Sequence, residues 1–364
     1  MLTRVVPRLA RLPRLPAVLT WPASPQAYAR LVDPLAAGPD FPARIVGLRR
    51  ETPRAVTVVL RPGTGWPAHR PGQWVAVGVD IDGVRHTRCY SITSVPGRGD
   101  GCVTITVQAV PDGVVSTHLT TSAGVGDLVH LGRPDGDFVL DDRRRTPRLF
   151  ITGGSGITPV MGMLRSLAAD RAVGDAVLVH HAPTAEDVIF AGDLEDLARR
   201  FPRFRPDTTL TGTGAPPPGA ALGAGRLDRL CPDWRRRETW VCGPAPLLDA
   251  AGALWSAAEV TGTLHVERFT PRTAPPVPGA TGTVSFAASA RTAPSDGCAT
   301  LLDLAEGAGL APASGCRMGV CRRCVAPLRS GTVRDLRDGR TESEPGTHIQ
   351  ICVSAAQGDV ELDL

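Results

Sequence analysis

Ser314–Cys324 reads SGCRMGVCRRC, and Cys352 follows the last of these cysteines after 27 intervening residues. Cys316, Cys321 and Cys324 stand at C-x4-C-x2-C spacing, and Cys352 completes a set of four. This is the plant-type ligand pattern of a [2Fe–2S] cluster. Two bridged irons need four thiolates, and one tight loop supplies three of them when its backbone wraps the cluster. Gly315 and Gly319 suit such a loop, because without a Cβ they let backbone amides approach sulfur. A zinc site is the competing reading, but zinc ordinarily takes two close cysteine pairs and only one is present. Disulfides fit poorly with an odd total of nine scattered cysteines.

Outward from the loop, Thr283–Ala287 alternates as a strand and Leu301–Glu306 reads as a helix. Thr347–Ile351 precedes Cys352, ahead of a last strand at Asp359–Asp363. Strands, a helix, the cluster loop and a closing strand predict a β-grasp (α+β) ferredoxin domain over residues 283–364. Residues 271–282, PRTAPPVPGATG, form a Pro-rich, semi-rigid linker in front of it. From residue 281 onward the chain carries ten acids and eight arginines, against a net charge of +4 for the whole. A mildly acidic ferredoxin on a basic remainder favours transient docking.

With 364 residues the chain has room for two or three domains. Aromatic residues make up only 4%, so Val, Leu and Ala must fill the cores. All 40 basic residues are arginine, a compositional bias and not a functional signal. The small net charge argues against nucleic acid as a partner. No run of about 18 apolar residues predicts a membrane-spanning helix. Cys89, Cys102, Cys231, Cys242 and Cys298 pair by no pattern, which fits a reducing cytoplasm. Residues 1–40 form a basic N-terminal extension, with Arg4, Arg8, Arg11 and Arg14 set among apolar residues in 1–20. Two readings stand for it: a frayed tail, or an amphipathic segment lying peripherally on the inner face of a membrane.

Residues 41–143 alternate in short strands at Ala43–Arg50, Ala55–Arg61, Gln73–Asp80 and Cys102–Ala109, divided by Gly/Pro turns. That is the pattern of an antiparallel β-barrel. Arg88-Cys89-Tyr90-Ser91 lies on a further strand, with Arg88 and Tyr90 on one face. Asp112–Leu119 reads DGVVSTHL, in which Gly113 and a Ser116-led helical turn aim backbone amides at an anion. The plainer reading of Ser116 is an N-cap.

Residues 144–270 change to strand, glycine turn and helix, the pattern of a parallel α/β domain. Strand Arg148–Thr152 runs into Gly153-Gly154-Ser155-Gly156-Ile157-Thr158-Pro159 and then helix Val160–Ala168. Such a turn cradles phosphate, with Thr158 as cap and Pro159 as first helical residue. Strands follow at Ala176–His180, Thr239–Cys242 and Thr263–Glu267. Cys242-Gly243-Pro244 ends one strand, and His265, Glu267 and Phe269 form an H-x-E-x-F run.

Taken together, RCYSI, GGSGITP, CGP and the cysteine set resemble the ferredoxin–NADP reductase superfamily, in the oxygenase- and desaturase-reductase branch with a C-terminal [2Fe–2S] ferredoxin. The resemblance covers about 41 to 364. It implies that Arg88 holds flavin phosphates, Tyr90 packs on the isoalloxazine and Ser91 hydrogen-bonds near N5. It implies FAD in preference to FMN, bound also at Gly113 and Ser116. Nicotinamide would sit at Gly153, Gly154, Gly156, Thr158, Pro159, Gly243 and Pro244, with the Cys242 thiol beside its C4. Glu267 is either a proton partner near N5 or a structural carboxylate.

Donor choice is left between NADPH and NADH. The residues after the second strand, HHAPTAE, give no clean signal, and Arg199, Arg200, Arg203 and Arg205 are either a 2′-phosphate site or a solvated face. The resemblance favours NADPH, because GCRMGVC, GTVRDLRDGR and IQICVSAAQGDVELD look like actinobacterial reductases that serve membrane stearoyl-CoA Δ9-desaturases in fatty acid desaturation. The implied function is an iron–sulfur flavoprotein oxidoreductase passing electrons from NAD(P)H through FAD and [2Fe–2S] to a terminal acceptor. That acceptor is an acyl-CoA desaturase or, alternatively, a Rieske oxygenase or cytochrome P450. A non-catalytic iron–sulfur sensor would show degraded flavin and nicotinamide loops, and these are intact. Arg317, Met318, Arg322 and Arg323 are candidates for the acceptor's docking face or for shielding the cluster.

Overall fold

The computed structural model describes residue 35 and residues 41–140, 146–212, 222–258, 260, 264–269, 277, 279–319 and 322–364. The Arg-rich segment 1–20, most of the linker and Cys321 lie outside the described residues.

The first sheet contains β1 (Phe41–Thr52), β2 (Ala55–Pro62), β3 (Trp74–Ile81), β4 (Val84–Ser91), β5 (Val103–Gln108) and β6 (Leu128–Leu131). Its order is β4-β3-β6-β1-β2-β5, antiparallel at each described pairing. A bridge between Ile92 and Ile105 joins the two ends, which makes the predicted barrel. Alternation along the strands sends Ile45, Val58, Leu60, Val77 and Ile105 inward, all fully buried. Helix α1 (Val114–Thr121) adds Val115 and Leu119 to that core. Its N-cap is Gly113 and not Ser116, whose hydroxyl donates back to the Gly113 carbonyl at 3.1 Å.

The second sheet is parallel: β7 (Arg148–Gly153), β8 (Ala176–Ala182), β9 (Phe204–Leu210), β10 (Glu238–Cys242) and β11 (Leu264–Glu267), in the order β11-β10-β7-β8-β9. Helices α2 (Ile157–Ala169) and α3 (Ala191–Arg200) pack on one face, α4 (Ala224–Leu230) and α5 (Ala245–Ala257) on the other. Strand order reverses between β7 and β10, which opens a crevice at their carboxyl ends. Helix α2 begins at Ile157, earlier than the sequence predicts. Thr158 therefore lies inside the first turn, donating to the Ser155 carbonyl at 2.9 Å, and does not cap it.

The third sheet holds β12 (Gly282–Phe286), β13 (Arg291–Ser295), β14 (Val325–Asp335), β15 (Thr341–Glu342) and β17 (Ser354–Leu362), with β16 (His348–Gln350) paired to β14. β12 and β17 are parallel and the other described pairs antiparallel. Helix α6 (Leu301–Gly307) covers it, its N-terminus capped by Thr300, whose hydroxyl accepts from the Asp303 amide at 3.1 Å. This sheet has a core of its own, built on Val284, Phe286, Leu301, Leu328 and Leu362.

Candidate functional site

A cavity of about 630 Å3 lies where the three sheets meet. The barrel presents Arg88, Tyr90 and Ser91 from the end of β4, and Gly113 and Ser116 from the start of α1. The parallel sheet presents its glycine turn, then Gly243 and Pro244 after β10, then Glu267 and Phe269 at and after the end of β11. The third sheet contributes Cys316, Arg317 and Met318 from the cluster loop. Motifs up to about 230 residues apart in the chain thus face one space.

The barrel wall fits a flavin. The Ser91 hydroxyl is buried with no hydrogen-bond partner among the described residues, as a group awaiting a ligand would be. Arg88 is half-buried and, among the described residues, donates to the neighbouring Thr87 carbonyl at 2.8 Å, which leaves most of its fork available. Burial raises the Tyr90 phenol above its ordinary range, so it stays neutral against a ring. A Cβ on Gly113 would collide with the Ser116 hydroxyl, so the turn closes only around glycine.

The parallel-sheet wall fits a nicotinamide dinucleotide. Gly156 lies so close to the Cys242 carbonyl that a Cβ there would strike it, bringing the two turns after β7 and β10 together. The α2 amides then open toward the cavity. Cys242 and Pro159 lie behind this wall and do not line it; the Cys242 thiol is fully buried. Burial, and then the neighbouring Glu267, raise that thiol well above its usual value. Glu267 Oε2 is buried with no hydrogen-bond partner among the described residues, and burial lifts its carboxyl to about 8. It is therefore mostly protonated at neutral pH.

The far end of the cavity is formed by His181, Pro183 and Thr211 at the tips of β8 and β9. Both nitrogens of His181 are buried with no hydrogen-bond partner among the described residues, and burial followed by the charge of Arg226 lowers its imidazole to about 4. Arg226 donates to Asp207 at 2.7 Å and to Thr209 at 2.5 Å, Thr209 being paired with His181 in the sheet. Sequence reading missed this arginine, because α4 is distant in the chain. The four arginines considered for a 2′-phosphate lie elsewhere. Arg199 and Arg200 pair with Asp196 on exposed α3, while Arg203 and Arg205 pair with Asp175 at the opposite end of β8 and β9. They are the solvated face.

Cys316, Cys324 and Cys352 are all buried, and the Met318 amide points at the Cys316 sulfur at 3.3 Å. A thiol hydrogen bond from Cys352 holds Cys324 down to about 7. This donor set fits a [2Fe–2S] cluster. Gly319 turns the loop at a φ of +73°, and its carbonyl is pinned by Arg337 and Gln350, each at 2.9 Å. Neither pin was signalled by the cysteine pattern. Of the four residues considered for docking, Arg317 and Met318 face the cavity and Arg322 is exposed. Arg323 borders a crevice with Arg85 and His130 of the barrel sheet. No helix among the described residues is long and apolar enough to cross a membrane.

Three family profiles match: an oxidoreductase FAD-binding domain over residues 66–140, an oxidoreductase NAD-binding domain over 150–252 and a 2Fe-2S iron-sulfur cluster binding domain over 287–357. An NADPH oxidoreductase of Mycobacterium tuberculosis is 43% identical over 96% of this chain and 91% of its own. NADH oxidoreductase HCR of Escherichia coli is 32% identical over 86% and 95%. The ferredoxin reductase component of a 3-ketosteroid-9-alpha-monooxygenase from Mycolicibacterium smegmatis is 33% identical over 73% and 77%. In fold, the chain is similar to phthalate dioxygenase reductase, a modular structure for electron transfer from pyridine nucleotides to [2Fe–2S]. The TM-score is 0.62 at 23% identity, covering 90% of this chain and 98% of that one.

Proposed function

We propose, from the premise that this chain belongs to the family of NAD(P)H oxidoreductases joining FAD-binding, NAD-binding and [2Fe–2S] domains, that it supplies single electrons to an oxygen-activating iron enzyme. The observation that carries this reading is the cavity into which the β4 motif, the paired turns after β7 and β10, and the cluster loop all open. FAD held by these residues would supply the conversion of one hydride from NAD(P)H into two single electrons for the cluster and a proton released to solvent.

In this reading residues 41–143, 144–270 and 283–364 are the flavin, nicotinamide and ferredoxin units. Arg88 grips flavin phosphate, Gly113 and Ser116 shape the turn that offers amides to it, and Tyr90 packs against the ring. Ser91 offers its unpaired hydroxyl near N5. Gly153, Gly154, Gly156 and Thr158 form the cradle for the nicotinamide cofactor's phosphates, with Pro159 fixing the start of α2. Gly243 and Pro244 seat the nicotinamide, and Cys242 backs that seat from below. Glu267 holds a proton at Oε2 beside the reacting edge. Cys316, Cys321, Cys324 and Cys352 ligate the cluster.

NADPH is the donor in this proposal. The 43%-identical relative is named for NADPH, and Arg226 beside His181 stands where a 2′-phosphate would lie. The acceptor we favour is a membrane acyl-CoA desaturase, supported by the GCRMGVC and IQICVSAAQGDVELD runs. A Rieske-type oxygenase is the second reading, supported by the monooxygenase component among the relatives. Anaerobic titration with NADPH and with NADH, followed by visible absorption, tests the donor and the carriers together. Bleaching of flavin bands first and cluster bands next, at lower NADPH than NADH, is expected. Bleaching by neither nucleotide would overturn the reading.

A further inference from the structure

Arg88 and Arg317 come from different sheets and line the same cavity. They are close enough for the charge of Arg317 to act on Arg88, together with that of Glu306. Arg317 stands at a φ of +57°, a left-handed conformation that L side chains seldom adopt. Glu306 and Asp303 of α6 hold it from behind, and its Nε is buried with no hydrogen-bond partner among the described residues. Around this cavity the described acidic lining is Glu267 alone, at the other wall and mostly protonated at neutral pH. Asp303 and Glu306 offset Arg317 from the α6 side, and an anion placed between the two guanidinium groups would be attracted by both. Arginine forks are suited to phosphate oxygens.

We propose that Arg88 and Arg317 form a two-domain clamp on the flavin's diphosphate, so that bound FAD fastens the ferredoxin unit to the barrel. This rests on the flavin reading of the cavity. Arg317 acts through charge on the flavin and not as a cluster ligand. Its two carboxylate partners on α6 fix its direction and balance its charge while the flavin is absent. The flavin is thereby a structural element between two domains as well as a carrier.

The test uses the full-length chain, loaded with its cluster and stripped of flavin. FAD and riboflavin, which lacks phosphate, are titrated by flavin fluorescence, with NADP+ as a third probe. Small-angle scattering reads compaction on adding FAD. Arg317→Gln is expected to weaken FAD binding by about 10- to 100-fold while leaving riboflavin and NADP+ unchanged. It is also expected to abolish the FAD-dependent compaction that the clamp predicts for the parent. Cluster absorption is checked in each variant. Arg317→Lys, which retains charge, serves if the glutamine variant loses its cluster, with a loss of about 3- to 10-fold expected.

Full FAD affinity in both cluster-loaded Arg317 variants, alongside weakened binding in Arg88→Gln, would overturn the clamp and leave the flavin site standing. FAD binding unchanged in Arg88→Gln as well would sink the flavin assignment of the cavity with it. A loss of NADP+ affinity alone would assign Arg317 to the other cofactor and end the proposal.

Discussion

Between the barrel and the parallel sheet, side chains from both sides share one core. Ala55, Phe138 and Leu140 pack in the same cluster as Val160, Met163 and Trp240. Arg165 donates to the Thr93 carbonyl at 2.8 Å, and the Trp240 indole to the Val139 carbonyl at 3.2 Å. Helix α2 comes so near β4 that a Cβ on Gly162 would stand 2.5 Å from the Ile92 carbonyl oxygen. The ferredoxin sheet is attached otherwise. Its core is separate, and it meets the other two around a cavity, through Cys316, Arg317 and Met318, and at a small crevice where Arg323 faces Arg85 and His130 of the barrel. Hydride transfer demands fixed atomic positions. Electron transfer tolerates a gap, and a carrier that must also serve an outside acceptor gains from a face that can separate.

The largest test of this contrast is Cys316→Ser. Reduction of cytochrome c, a one-electron acceptor, should fall to background, while ferricyanide reduction by the flavin persists, because the welded pair of units needs nothing from the third. Equal loss of both activities would mean that the two seams are not independent.

Next in size is Glu267→Gln. Burial raises this carboxyl from 4.5 to about 8, so the folded chain keeps a proton that the unfolded chain sheds. The stability associated with it is intact below about pH 4.5 and is lost as the pH climbs to about 8. The glutamine variant has no such titration. Its stability advantage over the parent should open across that window, reaching up to about 5 kcal/mol in denaturant melts. A gap that does not change with pH would place the carboxyl in water.

Gly162→Ala strikes the weld itself. The added methyl must push α2 off the Ile92 carbonyl, at a cost of about 1–3 kcal/mol in stability. Single-turnover flavin reduction by NADPH should slow, while electron passage from reduced flavin to cluster should change much less. The smallest expected effect is that of Arg226→Ala, roughly tenfold in KM for NADPH with little change for NADH, about one charge-assisted contact. Equal effects on both nucleotides would remove Arg226 from the 2′-phosphate.

How much of this was legible depended on whether a signal was local. Cys316 and Cys324, the Arg88–Ser91 strand and the Gly153–Pro159 turn could be read because backbone geometry and ligand chemistry impose their spacing within a few residues. Cys352, after 27 intervening residues, was legible only as the fourth thiolate the other three call for. Strands of the barrel were legible to within a residue or two from alternation. The 11-residue β14 was not legible as a strand: its pairing with β17 carries register shifts at Leu328/Ser330 and Gly331/Thr332, which interrupt the alternation. Arg203 and Arg205 could not be assigned to an end of the sheet, since composition carries no direction. His181 and Arg317 acquire meaning only once β8 and the cluster loop are brought to one cavity, and Arg226 only through its charge on His181; no spacing encodes that. The helix starts were displaced because Gly156 and Gly113, rather than Thr158 and Ser116, occupy the capping positions.

The separate core of the ferredoxin sheet also has a calorimetric consequence. Cooperative melting follows shared packing, and a chain in which one unit's core shares no residue with the clusters of the others departs from a single all-or-none transition. Three sheets should therefore melt as two bodies: one endotherm for the barrel and parallel sheet together, and another for the third, whose position moves with the cluster bound to it.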